Sequence, residues 1–438
     1  MKKNLDLFKF LDNTPNAFCC VENMKEILKE KGFMELFETN SWSDLKLDGK
    51  YFVSRNDSSL IAFKLTNNIM PGFNITAAHT DSPAFNIKTN PEIFENGYLK
   101  LNVDKYGGMI NYSWLDRPLS IAGRVITKKD NTYKKQIINI DKDLLVIPSQ
   151  AIHINREVNQ KNELNPQVDM LPIIALNKEN SLNDLITKYL IEKGENFDKI
   201  CDYDLYLYNR DKAKYIGVDE DFILSPRLDD LSSIFPALNS FIDSNNNNTI
   251  NLFCAFNNEE IGSLTNQGAD STFLIDILAR ITKTLNLDLL STLSNSIIIS
   301  ADNAHAIHPN ASLKNDPTNK VKLNEGVVIK HNTQYTTDSV TSSLFKGICE
   351  NANIPYQDFA CRSDMRCGST LGGISQSHVS IDSIDIGLAQ LAMHSSNEII
   401  GSKDVLYMYQ VLLEFYNSSF IRENDTIKIK RYQKRYLF

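Results

Sequence analysis

The chain scatters acids and histidines along its length, each just past a short apolar run. His79 and Asp81 lie in TAAHTDSP, Asp229 in SPRLDDLSS, and Glu259 with Glu260 in LFCAFNNEEIGS. Asp302 in IIISADNAHAIHP and His394 in GLAQLAMHSS complete the set. Two imidazoles with three or four carboxylates can hold two divalent cations and leave one carboxylate free as a base. That is the equipment of a two-metal hydrolase.

Each position also has an ordinary explanation. Asp229 is the expected bridge between cations ~3.5–4 Å apart. Yet Asp229 and Asp230 equally suit the start of the helix DLSSIFPALNSFID, where the dipole favours acids. Glu-Glu pairs are usually solvated, but Glu259-Glu260 follows a buried-type strand and precedes Ile-Gly. One of the two would bind metal, and the other would move a proton between a water and the leaving amine. In His79-x-Asp81 the acid is placed to fix the tautomer of the imidazole. His394 ends LAQLAMH, which also reads as a core helix with one polar residue. His305 and His308 would overfill the site as ligands and are assigned to substrate contact or support. All the ordinary explanations must hold together for there to be no site.

These residues need elements that carry them to one place. From about residue 230 the pattern alternates strands and helices. Strands are expected at 249–256, 296–300 and 380–387, and helices at 268–287, 339–354 and from Ser395 to Tyr416. Near-continuous apolar strands between helices predict an α/β fold, a mostly parallel sheet sandwiched by helices. Ligands then bind where loops leave the carboxyl ends of strands. Between 91 and 222 the runs are shorter and β-like (GYLKLNV, LSIAGRVI, KQIINI, DLYLYN), with one helical stretch at 181–195. The expectation is a catalytic domain from 1–90 plus 223–438, with an inserted β-rich domain at 91–222.

Composition narrows the partners. A formal net charge of -8 across 438 residues points away from nucleic acid. The basic end, IKIKRYQKRYLF, is short and reads as an edge strand. No apolar stretch reaches the ~18 residues of a membrane span, and the start has no apolar signal core. Seven cysteines without a CxxC pair read as scattered reduced thiols, and so as a cytoplasmic protein.

Beyond this residue-level reading, the sequence resembles the M18 aspartyl aminopeptidases, a family of dinuclear metallo-aminopeptidases. KYFVSRNDSSLIAF, TAAHTDSP, WLDRPLSIAGRV, AIHINRE, SPRLDDLSS, NNEEIGS, DNAHAIHPN and QLAMHSS follow in the family's order. The resemblance implies that His79 and Asp302 hold one metal, Glu260 and His394 the other, and Asp229 both. Glu259 would be the general acid/base and Asp81 would orient His79. It also implies that the insert mediates dimerisation and that subunits build a dodecameric shell, in which His153 reaches a neighbour's active site. His305, Lys330 and Tyr335 would contact substrate, Lys330 facing an acidic N-terminal side chain. The chain departs from the pattern in three places. IKHNTQYTTDS lacks the family's arginine before Tyr335, Met365-Arg366 replaces a Thr/Ser-Pro and adds a cation, and Pro118 stands where Asp is usual.

The expected activity is therefore removal of N-terminal residues, Asp or Glu foremost, from peptide substrates. Two divalent ions would serve it; zinc is expected, and manganese or cobalt suit the same ligands. Two other readings stand beside it. One is a metallo-deacylase of N-acyl amino acids, which needs a cation for a free carboxylate. The other is a non-catalytic self-assembling scaffold.

Overall fold

The computed structural model describes residues 2–67, 70, 72–161, 163–176, 181–245, 248–365, 368 and 371–432. Arg366 and the last residues of the basic end lie outside them.

The run FNITAAH is buried at every position, as are INLFCAF and IIISA. Such strands cannot have a wet face, so both sides must be covered. They form the middle of a sheet ordered Met34–Leu36, Lys50–Arg55, Ser59–Lys64, Ile250–Phe256, Phe73–His79, Ile297–Ala301, Asp382–Gly387, Val327–His331, Tyr356–Ala360. The four strands from Ile250–Phe256 to Asp382–Gly387 run parallel. Their outer neighbours Ser59–Lys64 and Val327–His331 pair antiparallel with them, so the sheet is mixed.

Successive side chains of a strand point to opposite faces, and the core divides accordingly. Phe52, Phe253 and Ile299 join helices Ala17–Glu30, Leu228–Asp243 and Asp404–Tyr416 on one side. Val53, Cys254 and Ile298 join helix Phe273–Thr284 on the other. A fully buried side chain of this size contributes roughly 1.5–3 kcal/mol.

A second, antiparallel sheet is ordered Thr132–Asn139, Leu119–Lys129, Lys199–Asn209, Ala84–Glu95, Tyr98–Tyr106, Ile173–Ala175. It has its own core around Phe85, Leu101, Trp114, Ile121 and Leu207, packed with helix Leu182–Glu192. A third sheet, ordered Lys214–Ile216, Phe222–Ser225, Glu398–Gly401, Ala389–Leu391, Ala304–His305, is small but carries loops to the site.

Three expectations are corrected. Ser395 to Tyr416 is not one helix: strand Glu398–Gly401 pairs with Phe222–Ser225 before helix Asp404–Tyr416 begins. Gly401 and Ser402 interrupt the helical run, and Glu398 and Ile400 alternate with Ile399 as a strand demands. The LAQLAMH run is not a core helix either. It is strand Ala389–Leu391 followed by a turn in which Ala392 and His394 take φ of 55° and 64°. The thiols are not all reduced, for Cys361 is disulfide-bonded, while Cys19, Cys20, Cys201, Cys254 and Cys349 are free. Thr426–Arg431 is an edge strand of a hairpin with Ser418–Glu423. Among the described residues no helix is long and apolar enough to cross a membrane.

Candidate metal centre and active site

Because the central strands run parallel, their carboxyl ends meet at one edge of the sheet. His79 is the last residue of strand Phe73–His79. Glu259 and Glu260 open the short 3-10 turn after strand Ile250–Phe256. Asp302 follows strand Ile297–Ala301. Asp229 lies at the start of helix Leu228–Asp243 with non-helical backbone angles. Asp230, expected to serve the helix dipole, is also non-helical and is joined to Asp229 by a cis peptide bond. Its carboxylate accepts the backbone N–H of His79 at 3.2 Å instead.

The two histidines face Asp229 from opposite sides. Nε2 of His79 is 3.4 Å from its Oδ1, and Nε2 of His394 is 3.4 Å from its Oδ2. Asp302 Oδ1 stands 3.9 Å from His79 Nε2, and Glu260 Oε1 3.5 Å from His394 Nε2. Both rings are fixed from behind by backbone carbonyls. His79 Nδ1 donates to the Asp81 carbonyl at 3.0 Å, and His394 Nδ1 to that of Gly108 at 2.9 Å. A ring that donates from Nδ1 presents the lone pair of Nε2, the tautomer a cation needs. Asp81 thus orients His79 chiefly through its main chain; its carboxylate lies farther, at 3.5 Å. That carboxylate instead accepts the Tyr106 hydroxyl at 2.6 Å and the N–H groups of Glu259 and Glu260, each at 3.2 Å.

Two overlapping nests result. His79, Asp229, Asp230 and Asp302 each offer a ligand atom within 4.8 Å of the others, and so do Asp229, Glu260 and His394. Glu259 joins a third such grouping, with His79 and Glu260. Asp229 Oδ1 and Glu260 Oε1 are buried with no hydrogen-bond partner among the described residues, an expensive condition for a carboxylate. Burial, reinforced by neighbouring carboxylates, lifts Glu259 to about 8 and Glu260 well above its ordinary value. Burial opposes charge on His394, but its hydrogen bond to Asp229 and the Glu260 charge overrule it and raise the ring to about 10. The centre therefore calls for positive charge between these groups. Divalent cations fit the orphaned oxygens and the aimed nitrogens, and a mixed imidazole and carboxylate set suits zinc, manganese or cobalt.

The nests open into a cleft of about 390 Å³ whose wall includes His305, Lys330, Tyr335, Phe359 and Met393. Lys330 is buried with Nζ 3.3 Å from Asp302 Oδ2 and 5.8 Å from the Tyr335 ring. His308 lines an adjoining cavity that shares His305 and Phe359. His153 is not brought to the site within this chain; it is exposed in a turn. Arg366 cannot be placed.

Sequence reasoning did not find several residues that hold the centre. Tyr106 and Gly108 come from the antiparallel sheet and the loop after it. Asn303 clamps the first turn of helix Leu228–Asp243 through the Leu228 carbonyl at 3.0 Å and the Ser232 hydroxyl at 2.9 Å. Glu398 accepts the N–H groups of both Asp229 and His394. The acid four residues past His394 was the one available signal for it.

Comparison with known proteins identifies the family. The family described as aminopeptidase I zinc metalloprotease (M18) matches residues 10–416. A probable M18 family aminopeptidase 2 from Clostridium novyi (strain NT) is 45% identical over 424 residues, covering 94% of this chain and 98% of the relative. A protein of the same description from Clostridium acetobutylicum is 44% identical over 436 residues, covering 95% and 100%. Among solved structures, a chain of the Ape4 and Nbr1 complex superimposes with a TM-score of 0.91 at 35% identity, covering 95% of this chain and 85% of that one. The S. cerevesiae mApe1 dodecamer gives 0.83 at 26% identity, covering 94% and 95%. The chain is thus a metallo-hydrolase acting on peptide bonds, and it belongs to peptidase family M18, the zinc metallo-aminopeptidases.

Proposed function

We propose that this enzyme removes acidic N-terminal residues from peptides at a centre of two divalent cations, zinc foremost. The observation that carries the reading is Asp229, whose two oxygens are shared between His79 and His394. In this reading His79 and Asp302 complete one ligand set, Glu260 and His394 the other, and Asp229 spans both. Bound there, divalent cations would supply Lewis-acid chemistry for the scissile carbonyl and for a water beside it.

The remaining work falls to side chains. Glu259 takes the proton from the water on its carboxylate and delivers it to the leaving amine. Its backbone is held by Asp81, whose carboxylate accepts the N–H groups of Glu259 and Glu260 together. The acidic cleft suits the ammonium of a free N-terminus. Lys330, with Tyr335 and His305 beside it on the cleft wall, gives the side chain of Asp or Glu a cationic partner.

The proposed architecture is the catalytic domain expected at 1–90 and 223–438 with the insert expected at 91–222, the insert's start drawn back to about 84 because strand Ala84–Glu95 belongs to the antiparallel sheet; the insert mediates dimerisation on the way to a dodecamer. The similarity to the S. cerevesiae mApe1 dodecamer supports assembly. The exposure of His153 leaves it free to reach a neighbour's cleft.

Lys330 would equally suit the free carboxylate of an N-acyl amino acid, which keeps the deacylase reading in view. Turnover of Asp-, Glu- and Ala-capped peptides, with free and acetylated amines and with zinc added or chelated, decides. Activity on free-amine acidic peptides that chelation abolishes is the expected result. Preference for acetylated substrates would overturn the proposal.

A further inference from the structure

Glu398 begins strand Glu398–Gly401, where it stands opposite Ser225. It therefore sits where two loops leave the third sheet, one running from Ser225 to Asp229 and the other from Leu391 to His394. It is 2% exposed. Its Oε2 accepts the backbone N–H of Asp229 at 2.9 Å, and its Oε1 that of His394 at 2.6 Å. Among the described residues these two N–H groups are its hydrogen-bond partners.

Neither N–H has a place in regular structure. Asp229 has φ -83° and ψ 107° inside a kinked helix start, and His394 has φ 64°. A buried N–H outside a ladder or helix must find an acceptor elsewhere. Here one carboxylate accepts from both, and the two residues it joins are those whose side chains converge between the nests. A carboxylate of fixed span thereby sets the distance between the bridging acid and the second histidine.

We propose that Glu398 is a positioning residue for the metal centre, holding the main chains of Asp229 and His394 at the spacing that a pair of cations requires. The inference rests on the proposed roles of those two residues as ligands. Glu398 belongs to none of the ligand groupings and does not line the cleft, so its effect should be read in metal affinity and metal spectroscopy.

The test is Glu398→Gln. Glutamine keeps the size but offers one oxygen to two N–H groups, and its own NH2 confronts the other donor. Metal-free parent and variant are compared by thermal melting and then titrated with zinc alone. Cobalt is added separately to read the visible bands of the centre. The expected result is similar melting without metal, zinc affinity weaker by about 10- to 100-fold, and altered cobalt bands. Zinc affinity within about twofold of the parent, where that outer loss is expected, overturns the inference. A parent that fails to take up two equivalents of zinc refutes the ligand assignment instead. Should Glu398→Gln not fold, Glu398→Asp keeps the charge but is too short to reach both N–H groups and must weaken zinc similarly. Parent-like affinity in that variant, or failure of both to fold, makes Glu398 an ordinary structural acid and overturns the inference.

Discussion

Lys330→Met removes one charge from the wall of the cleft while keeping most of the side-chain volume. Lys330 is 3% exposed and its Nζ lies 3.3 Å from Oδ2 of Asp302, which is 8% exposed. In metal-free protein the substitution leaves Asp302 facing His79 at 3.9 Å, and breaking a buried pair from one side costs up to about 3–5 kcal/mol. The cost has a ceiling. Burial, countered only in part by Lys330, raises Asp302 above its ordinary value, and a proton on its carboxylate can relieve the stranded charge. At 1.36 kcal/mol per pH unit that escape limits the penalty at pH 7 to about 4 kcal/mol. A cation seated on Asp302 compensates the same charge from the other side, and the variant no longer sets an ammonium beside it. The thermodynamic cycle then requires Lys330→Met to bind zinc more tightly than the parent, by up to about 4 kcal/mol, or a thousandfold.

The same substitution acts on substrate in the opposite sense. A hydrogen bond to a charged group contributes about 1.5–3 kcal/mol. Losing it should lower kcat/KM on Asp- and Glu-capped peptides by about 10- to 150-fold and leave Ala-capped peptides little changed. The assays are zinc competition against a chromophoric chelator, melting with chelator and with zinc, and paired kcat/KM values. The variant should melt well below the parent in chelator and close to it in zinc. Equal or weaker zinc affinity would refute the electrostatic coupling. An unchanged ratio of acidic to neutral substrates would refute Lys330 as the specificity cation.

Glu259→Gln should retain zinc and lower kcat by about 10²–10⁴-fold. Burial first, then Asp302, Asp81 and Asp229, raise Glu259 to about 8. A base acts only when ionised, so kcat/KM should climb with pH along this limb. Bound cations oppose those neighbours and draw the limb below 8. A limb with the same midpoint in the residual activity of Glu259→Gln would assign it to another group. If His153 works in a neighbour's cleft, His153→Ala and Glu259→Gln subunits refolded together should be more active than the two assembled separately. Activity equal to their sum places His153 outside catalysis.

Where both faces of the sheet are covered, the fold was legible in the sequence. Strands such as INLFCAF admit no wet side, and short apolar runs between helical periods leave few alternatives to an α/β sheet. Legibility failed around His394. Leu388, Leu391 and Ala392 fit a helical stripe, and nothing in that pattern signals that Ala392 and His394 take positive φ. The His394 conformation is held by tertiary bonds. The His394 carbonyl accepts from Ile110 at 3.0 Å, its ring donates to Gly108, and its N–H is held by Glu398. The residue reading took Asp229 for the bridge and gave Asp230 to the helix dipole, but nothing in the sequence signals that both leave helical geometry and that Asp230 accepts the His79 N–H.

Ligand side chains announce themselves by type; what aims them does not. His79 and His394 are each oriented by a main-chain carbonyl, and every residue carries one, so no composition or spacing marks Asp81 and Gly108 for that task. Gly108 is also far from the other site residues in sequence, at the end of a strand from a different sheet. Tyr106, two residues earlier, ties Asp81 to the same strand and accepts Asn258 Nδ2 at 2.9 Å. The antiparallel sheet therefore touches both nests, through Asp81 on the His79 side and Gly108 on the His394 side. A shift of that strand would move the two histidines' supports together, which makes the position of the second sheet part of the geometry of the metal centre.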